Sequence, residues 1–513
     1  MRCLPWFIIA LCHNTKLRQT ARSRNRGLAG GRGAWSAVIV FSVMFSITPY
    51  GAAGEVTGSA YLVRTKRCTV LVDFGMFQGD KEDDARNVVP GDIHRADIDA
   101  VLLTHAHLDH CGRLPLLVRD GYRKHIYGTE ATRDLVELVL TDAAHIQEMD
   151  FERRQRQAKK RGHKLPRTEA PLFDADDVRK VLSLFRLVEY NLRIEVAPGL
   201  HAEWIEAGHM LGSASIVLET TNERVVFSGD VGHIGLPYLR DPEPPSGPFN
   251  IVVCESTYGD RNHQDREQTL KQFSNIMVEA VRTNGKVLIP SFAIGRSQNM
   301  LYHLAELFRT KVIPRIPIYL DSPMAIEASE IYAIHADLFD DESTELIEQG
   351  EMRRDLRTVR FVYDADESRA INDAKGPYVV IAGAGMCNAG RILHHLRHHI
   401  SDPLTHVVIT GYQAHGSLGR KLVEGAEHIT IMGEHKEVNA TIHTLGGLSA
   451  HADQAGLMRW LTAVLANRDG RTPHVLLTHG EDDARDALGT MVAETFDVDV
   501  VLPFYGISLE LQA

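Results

Sequence analysis

The stretch T-H-A-H-L-D-H, residues 104–110, follows the apolar run I-D-A-V-L-L. A short apolar run of this kind reads as a buried strand. Three histidines and an aspartate at the end of such a strand are costly to hold in apolar surroundings unless something binds them. Alternate residues leaving a strand point the same way, so His105 and His107 reach one ion. Asp109 and His110 come where the chain bends into a helix, and reach a second. Imidazole and carboxylate without thiolate suit Zn²⁺, with Mn²⁺ or Fe²⁺ as substitutes. The run H-H-L-R-H-H-I at 394–400 reads differently. There Ile392, Leu393, Leu396 and Ile400 mark a buried helical stripe, and the histidines are expected on the solvated side.

Two metal sites need donors from elsewhere in the chain. His209 in E-A-G-H-M-L-G, Asp230 in V-V-F-S-G-D-V-G and His479 in V-L-L-T-H-G-E-D each stand at the end of an expected strand beside glycine. The six cysteines, at 3, 12, 68, 111, 254 and 387, form no C-x-x-C, so neither a disulfide framework nor a thiolate zinc site is signalled. That usage fits a reducing, cytoplasmic setting.

The 513 residues, 44% of them hydrophobic, suffice for two or three packed domains. Up to about residue 259 the pattern is strand-rich. From 260 it becomes a series of strand–helix units: K-V-L-I-P-S-F-A before G-R-S-Q-N-M-L, I-P-I-Y-L-D-S before M-A-I-E-A-S-E, and Y-V-V-I-A-G-A-G before G-R-I-L-H-H-L. Their spacing predicts a doubly wound parallel sheet. The strand-rich style returns at about 446, so residues 260–445 are expected as a domain inserted between parts 44–259 and 446–513 of another. Residues 1–43 hold seven basic residues and no acidic one. They are expected to be disordered or foreign to the natural product, with a transit-like segment as the alternative. Their apolar runs are too short to span a membrane. The polar stretch E-R-R-Q-R-Q-A-K-K-R-G-H-K reads as a solvated helix face and loop. The formal net charge of −11 excludes a globally basic nucleic-acid coat, so a polyanion must be held by a local patch or by metal.

These motifs, in this order, resemble the metallo-β-lactamase-fold hydrolases. The insertion, with C-E-S-T-Y-G-D-R and G-G-L-S-A-H-A-D, narrows the resemblance to the β-CASP branch of nucleic-acid-processing nucleases, over about residues 44–513. The resemblance implies an αββα sandwich with an inserted α/β domain. It implies that His105, His107 and His209 hold one zinc ion, that Asp109, His110 and His479 hold the other, and that Asp230 bridges them. Asp73 matches an acidic position supporting the histidines. Glu255 matches the acidic residue opening the inserted part, His451 a histidine over the cleft, and Ser449 a phosphate contact. The parts imply a two-metal hydroxide mechanism on phosphodiesters, with His451 as proton donor to the leaving oxygen and Glu255 beside it.

An inserted doubly wound domain facing the metals makes a long cleft suited to a strand. Its Gly-rich turns offer phosphate contacts at Arg296 (A-I-G-R-S-Q), Arg391 (G-A-G-M-C-N-A-G-R), Arg420 and Lys421 (G-S-L-G-R-K). DNA-directed members of the family carry an apolar residue where His479 stands. The histidine therefore implies the RNA-directed group, bacterial and archaeal relatives of the mRNA 3′-end-processing endonuclease, acting as endonuclease, exonuclease or both. RNA is the expected partner, a homodimer is compatible with the resemblance, and no membrane partner is expected. The alternatives are a small-ester or thioester hydrolase on the same scaffold and a non-catalytic RNA-binding protein.

Overall fold

The computed structural model describes residues 17–20, 45–79, 81–162, 170–411, 413 and 416–511. Of the N-terminal extension, only Leu17–Thr20 lies among them, as a strand antiparallel to Ser508–Leu511. What was expected of the rest of 1–43, and of Met44 as the domain start, lies outside the described residues.

Two sheets dominate the first and last parts of the chain. One runs in spatial order Leu17–Thr20, Ser508–Leu511, Phe45–Pro49, Tyr61–Thr65, Thr69–Val72, Ala100–Leu102, His125–Thr129 and Phe185–Val188. The other runs Asp499–Val501, His474–Thr478, Ile251–Glu255, Arg224–Phe227, Ala214–Glu219, Leu200–Glu206 and Ile194–Ala197. Side chains alternate across each strand, and the alternation builds the layers. Val70, Val72 and Leu102 join Trp204, Ile216, Phe227 and Val253 in one core between the sheets. Leu71, Val101 and Leu103 turn to the opposite face and pack on Leu117, Leu135 and Val139 of helices Leu114–Arg119 and Glu130–Lys160. On the far side of the second sheet, Val226, Val252 and Val475 meet Leu457 and Leu461 of helix Gln454–Val464 and Leu488 of helix Asp482–Phe496. The result is the helix–sheet–sheet–helix sandwich that the motifs implied.

The third sheet is all parallel, in order Val359–Phe361, Ile318–Leu320, Tyr378–Ala382, Lys286–Pro290, Thr405–Ile409 and Thr441–Thr444. Val287 and Ile289 face one core and Leu288 the other, so both faces are covered by helices. The chain leaves the sandwich after Ile251–Glu255. After helix Gln454–Val464 it rejoins the second sheet as His474–Thr478, hydrogen-bonded in parallel to that strand, with Glu255 opposite Thr478. Insertion therefore brings both ends of the inserted part to the edge that carries Glu255 and His479. The helix Ile392–His399 corrects one expectation. Ile392, Leu396 and Ile400 are buried as expected, but so are His395 and His399. The His395 Nε2 lies 2.7 Å from Asp321 Oδ2 and its Nδ1 3.0 Å from Asn372 Oδ1, while His399 Nε2 lies 3.3 Å from the Tyr378 hydroxyl. No helix among the described residues is long and apolar enough to cross a membrane.

Candidate metal centre

Strand Ala100–Leu102 delivers the histidine cluster, and the neighbouring strand Thr69–Val72 delivers the residue that orients it. Asp73 follows that strand in a left-handed conformation, φ +56°, and is buried. Its carboxylate accepts from the Thr104 backbone N–H at 2.8 Å and the Thr104 hydroxyl at 2.9 Å, and lies 2.8 Å from His110 Nδ1. The Thr104 oxygen lies 3.0 Å from His105 Nδ1. These partners assign the ring protons of both histidines to Nδ1 and leave Nε2 free to bind a cation. The turn bearing Asp109 rests on Gly75, where a Cβ would fall 1.5 Å from the Asp109 carbonyl oxygen, so no other residue fits. His479 is likewise left-handed, φ +49°, with its Nδ1 3.1 Å from the Thr257 hydroxyl.

Seven donors converge in two groups. In the first, His105 Nε2 and His209 Nε2 each lie 3.1 Å from His107 Nδ1, and 3.4 and 3.5 Å from Asp230 Oδ2. In the second, His110 Nε2 lies 3.2 Å from His479 Nε2 and 3.4 Å from Asp230 Oδ1, and His479 Nε2 lies 3.4 Å from Asp109 Oδ2. A tetrahedron of donors about 2.0–2.1 Å from an ion has edges of about 3.3–3.4 Å. These contacts are close to that size, and Asp230 turns Oδ2 to the first group and Oδ1 toward His110 and His479 of the second, each at 3.4 Å. Asp230 Oδ1 is buried without a hydrogen-bond partner, with His110 Nε2 and His479 Nδ1 at 3.4 Å beside it, a setting that a cation would stabilise. The donor set thus fits divalent metal.

Electrostatics differ between the donors: burial opposes the charged His110 imidazole, yet Asp230 and Asp73 lift it well above its ordinary value, so a cation there must displace a proton. Burial pushes the His107 imidazole down, helped by His105, to about 3, so its lone pair is available at neutral pH. Burial alone would raise the Asp230 carboxyl, but His479, His110 and His105 outweigh it and hold the group well below the carboxylate range.

A carboxylate–histidine pair stands beside the donors. His451 Nδ1 lies 3.2 and 3.3 Å from the two oxygens of buried Glu255, and its Nε2 lies 3.9 Å from Asp230 Oδ2. Glu255 is anchored by the Val231 N–H, which donates to Oε1 at 2.6 Å. The returning segment is pinned to the same loop, since Ala452 N–H donates to Val231 O at 2.7 Å. Burial opposes the charged imidazole of His451, yet Glu255 and Asp230 lift it to about 9.

The remaining sequence candidates fall into different settings. Ser449 Oγ accepts from the His451 N–H at 3.3 Å, within the turn that carries the histidine. Arg296 opens helix Arg296–Arg309, and its Nη1 is shielded with no hydrogen-bond partner. Burial pulls its guanidinium down to about 10, against an opposing influence of Tyr258. Arg391 is engaged within the inserted domain, donating to Asp321 Oδ1 at 2.6 Å and to the Val362 and Tyr363 carbonyls at 2.9 and 2.6 Å. Arg420 donates to Glu424 at 2.7 Å. Sequence reasoning missed Thr104 and Thr257, which orient ligands. It also missed His263, whose Nε2 lies 3.0 Å from the His451 carbonyl oxygen. Threonine has no metal-ligand signature, but T-H and E-S-T at strand ends were available signals.

Residues 53–272 match the metallo-beta-lactamase superfamily, 297–422 the Beta-Casp domain and 436–503 the Zn-dependent metallo-hydrolase RNA specificity domain. The chain is 40% identical over 448 residues to Ribonuclease TTHA0252 of Thermus thermophilus, covering 87% of this chain and 96% of that one. It is 30% identical over 468 residues to Transcription termination factor FttA of Methanosarcina mazei, covering 88% and 69% respectively. Among solved structures, a protein of unknown function from Enterococcus faecalis superposes with a TM-score of 0.52 at 12% identity, over 91% of this chain and 100% of that one. That likeness is one of fold alone. With the sandwich, the insertion and the extent of the curated relative taken together, the chain belongs to the metallo-β-lactamase-fold β-CASP family of RNA-processing nucleases.

Proposed function

We propose that this protein hydrolyses phosphodiester bonds of single-stranded RNA with two divalent cations, Zn²⁺ in the first instance and Mn²⁺ as substitute. The observation that carries this is the pair of adjoining donor groups with Asp230 between them, and the Glu255–His451 pair alongside. His105, His107, His209 and Asp230 would hold one cation, and Asp109, His110, His479 and Asp230 the other. Bound cations supply Lewis acidity, neutralise phosphate oxygens and yield a water-derived nucleophile at neutral pH.

The chain's own residues do the rest. Glu255 accepts from His451 Nδ1–H, which keeps the ring charged and aims Nε2–H into the cleft. That proton goes to the departing sugar oxygen. Arg296 and Ser449 would serve as phosphate contacts, and the inserted domain would lengthen the cleft for a strand. A small-ester or thioester hydrolase needs neither the insertion nor the Glu255–His451 pair, and a non-catalytic RNA-binding protein needs no complete donor set.

The test is cleavage of 5′-labelled single-stranded RNA in the presence of Zn²⁺ or Mn²⁺, beside matched DNA and a chromogenic β-lactam. RNA cut well ahead of both is expected, and the product ladder distinguishes internal from terminal cutting. Equal turnover of the lactam would contradict the proposal.

A further inference from the structure

Phe292 stands two residues after strand Lys286–Pro290, at the carboxyl end of the inserted parallel sheet, and is 46% exposed. Open α/β sheets bind ligands beyond the carboxyl ends of their strands. The residue is exposed but held firmly. Its carbonyl oxygen accepts from the buried Ser297 hydroxyl at 2.7 Å and from the Ser291 hydroxyl at 3.1 Å. Its ring lies on bare backbone. A Cβ at Gly385 would come within 2.9 Å of two ring carbons, and one at Gly411 within 3.8 Å. Glycine at 385 is therefore what lets the phenyl ring settle there.

The residue after Phe292 packs on a core shared with the sandwich as well as on the inserted domain's own core. Ala293 packs on the cluster that includes Met210 and Leu211, next to His209, and Ala450, next to His451, packs on that cluster too. One turn further on, Arg296 keeps its shielded, unpartnered Nη1, with Tyr258 close enough to influence its charge. The Tyr258 ring lies 6.2 Å from that of His451. An exposed aromatic ring thus stands four residues before an arginine with an unpartnered Nη1, and Tyr258 links that arginine to the proposed proton donor.

We propose that Phe292 is a stacking platform for one unpaired nucleobase of the substrate strand, whose backbone passes Arg296 on its way to the metal centre. This inference rests on the ribonuclease proposal and adds the way the strand is held. Every base has a π-face, so stacking is sequence-tolerant, and it favours strands whose bases are free of a duplex.

The experiment uses the full-length metal-loaded protein and RNA oligonucleotides with a single abasic ribonucleotide walked through the sequence. For the natural chain, one abasic position should raise KM about 5- to 150-fold, the range for base–aromatic stacking. Phe292→Ala and Phe292→Leu should raise KM for intact RNA by a similar factor, the loss falling on KM rather than kcat. Both should become indifferent to the abasic position, whereas Phe292→Trp should keep the sensitivity. If Phe292→Leu matches the natural chain, or the abasic effect persists in Phe292→Ala, the ring serves packing and the inference falls while the ribonuclease proposal stands. If the natural chain cuts no RNA, both fall.

Discussion

His451 and Asp109 both look catalytic from sequence, but the geometry separates their roles. Asp109 lies within a donor group, whereas His451 Nδ1 is taken by Glu255. His451→Ala should therefore retain both cations and bind RNA, yet cut about 10²–10⁴-fold more slowly. Asp109→Ala should lose metal as well as rate, and elemental analysis beside single-turnover kinetics distinguishes the two. The pH profile gives a second check. A histidine raised to about 9 is a competent acid below that value and fails as pH rises through it. Cations on Asp230 and Asp109 offset part of the lift, so the alkaline limb falls at or below about 9, and His451→Ala should abolish it. Loss of one cation in His451→Ala would make the residue a ligand. The seven donors were legible because four crowd into residues 104–110 and three more stand beside glycine at expected strand ends, in one order along the chain. Thr104 and Thr257 were signalled only by their place in T-H and E-S-T at strand ends, because an orienting hydroxyl acquires its role from the partner placed against it. The settings of Arg391 and Arg420 were equally hidden, since a basic residue after a Gly-rich turn looks the same whether it faces phosphate or an internal carboxylate.

At the scale of elements, the inserted domain is held by a charge cluster at a strand end. Asp321, after strand Ile318–Leu320, accepts from Arg391 at 2.6 Å and from Ser368 of helix Ala365–Ile371 at 2.6 Å, and pairs with His395 of helix Ile392–His399 at 2.7 Å. Removing one member of a buried pair leaves the others uncompensated. Asp321→Ala should thus cost on the order of 3 kcal/mol, read as a lower unfolding midpoint and faster proteolysis within 286–444. Unchanged protease resistance would mean that the cluster is not structural. Burial raises the Asp321 carboxyl, but His395, Ser368 and Arg391 prevail and keep it low. Its contribution is therefore present above the ordinary aspartate value and lost as pH falls through the lowered one. The cluster explains why the H-H-L-R-H-H run misleads: amphipathic spacing located its apolar stripe, but only tertiary partners show that His395 and His399 are inside. The hairpin His428–Ile431/Glu434–Glu437 escaped for a local reason. Its turn has Met432 at φ +52° before Gly433 at φ +85°, the two-residue geometry usually signalled by Asn-Gly or Asp-Gly. The central strands, apolar and evenly spaced with their helices, were plain from sequence.

For the molecule as a whole, one arrangement accounts for the site. Two sheets packed face to face bring their strand ends together. The first sheet gives Asp73 and residues 105–110, the second gives His209, Asp230, Glu255 and His479, and the return from the insertion gives His451. Folding gathers histidines and carboxylates that repel their own kind until divalent cations join them. The central claim is that two such cations, held without cysteine, make the protein an RNA hydrolase. The most direct measurement titrates Zn²⁺ or Mn²⁺ into chelator-stripped protein while following RNA cleavage. Activity absent from the stripped protein and rising to a break at about two equivalents per chain is the predicted result. Cleavage that survives stripping, or a break at one equivalent, would contradict it.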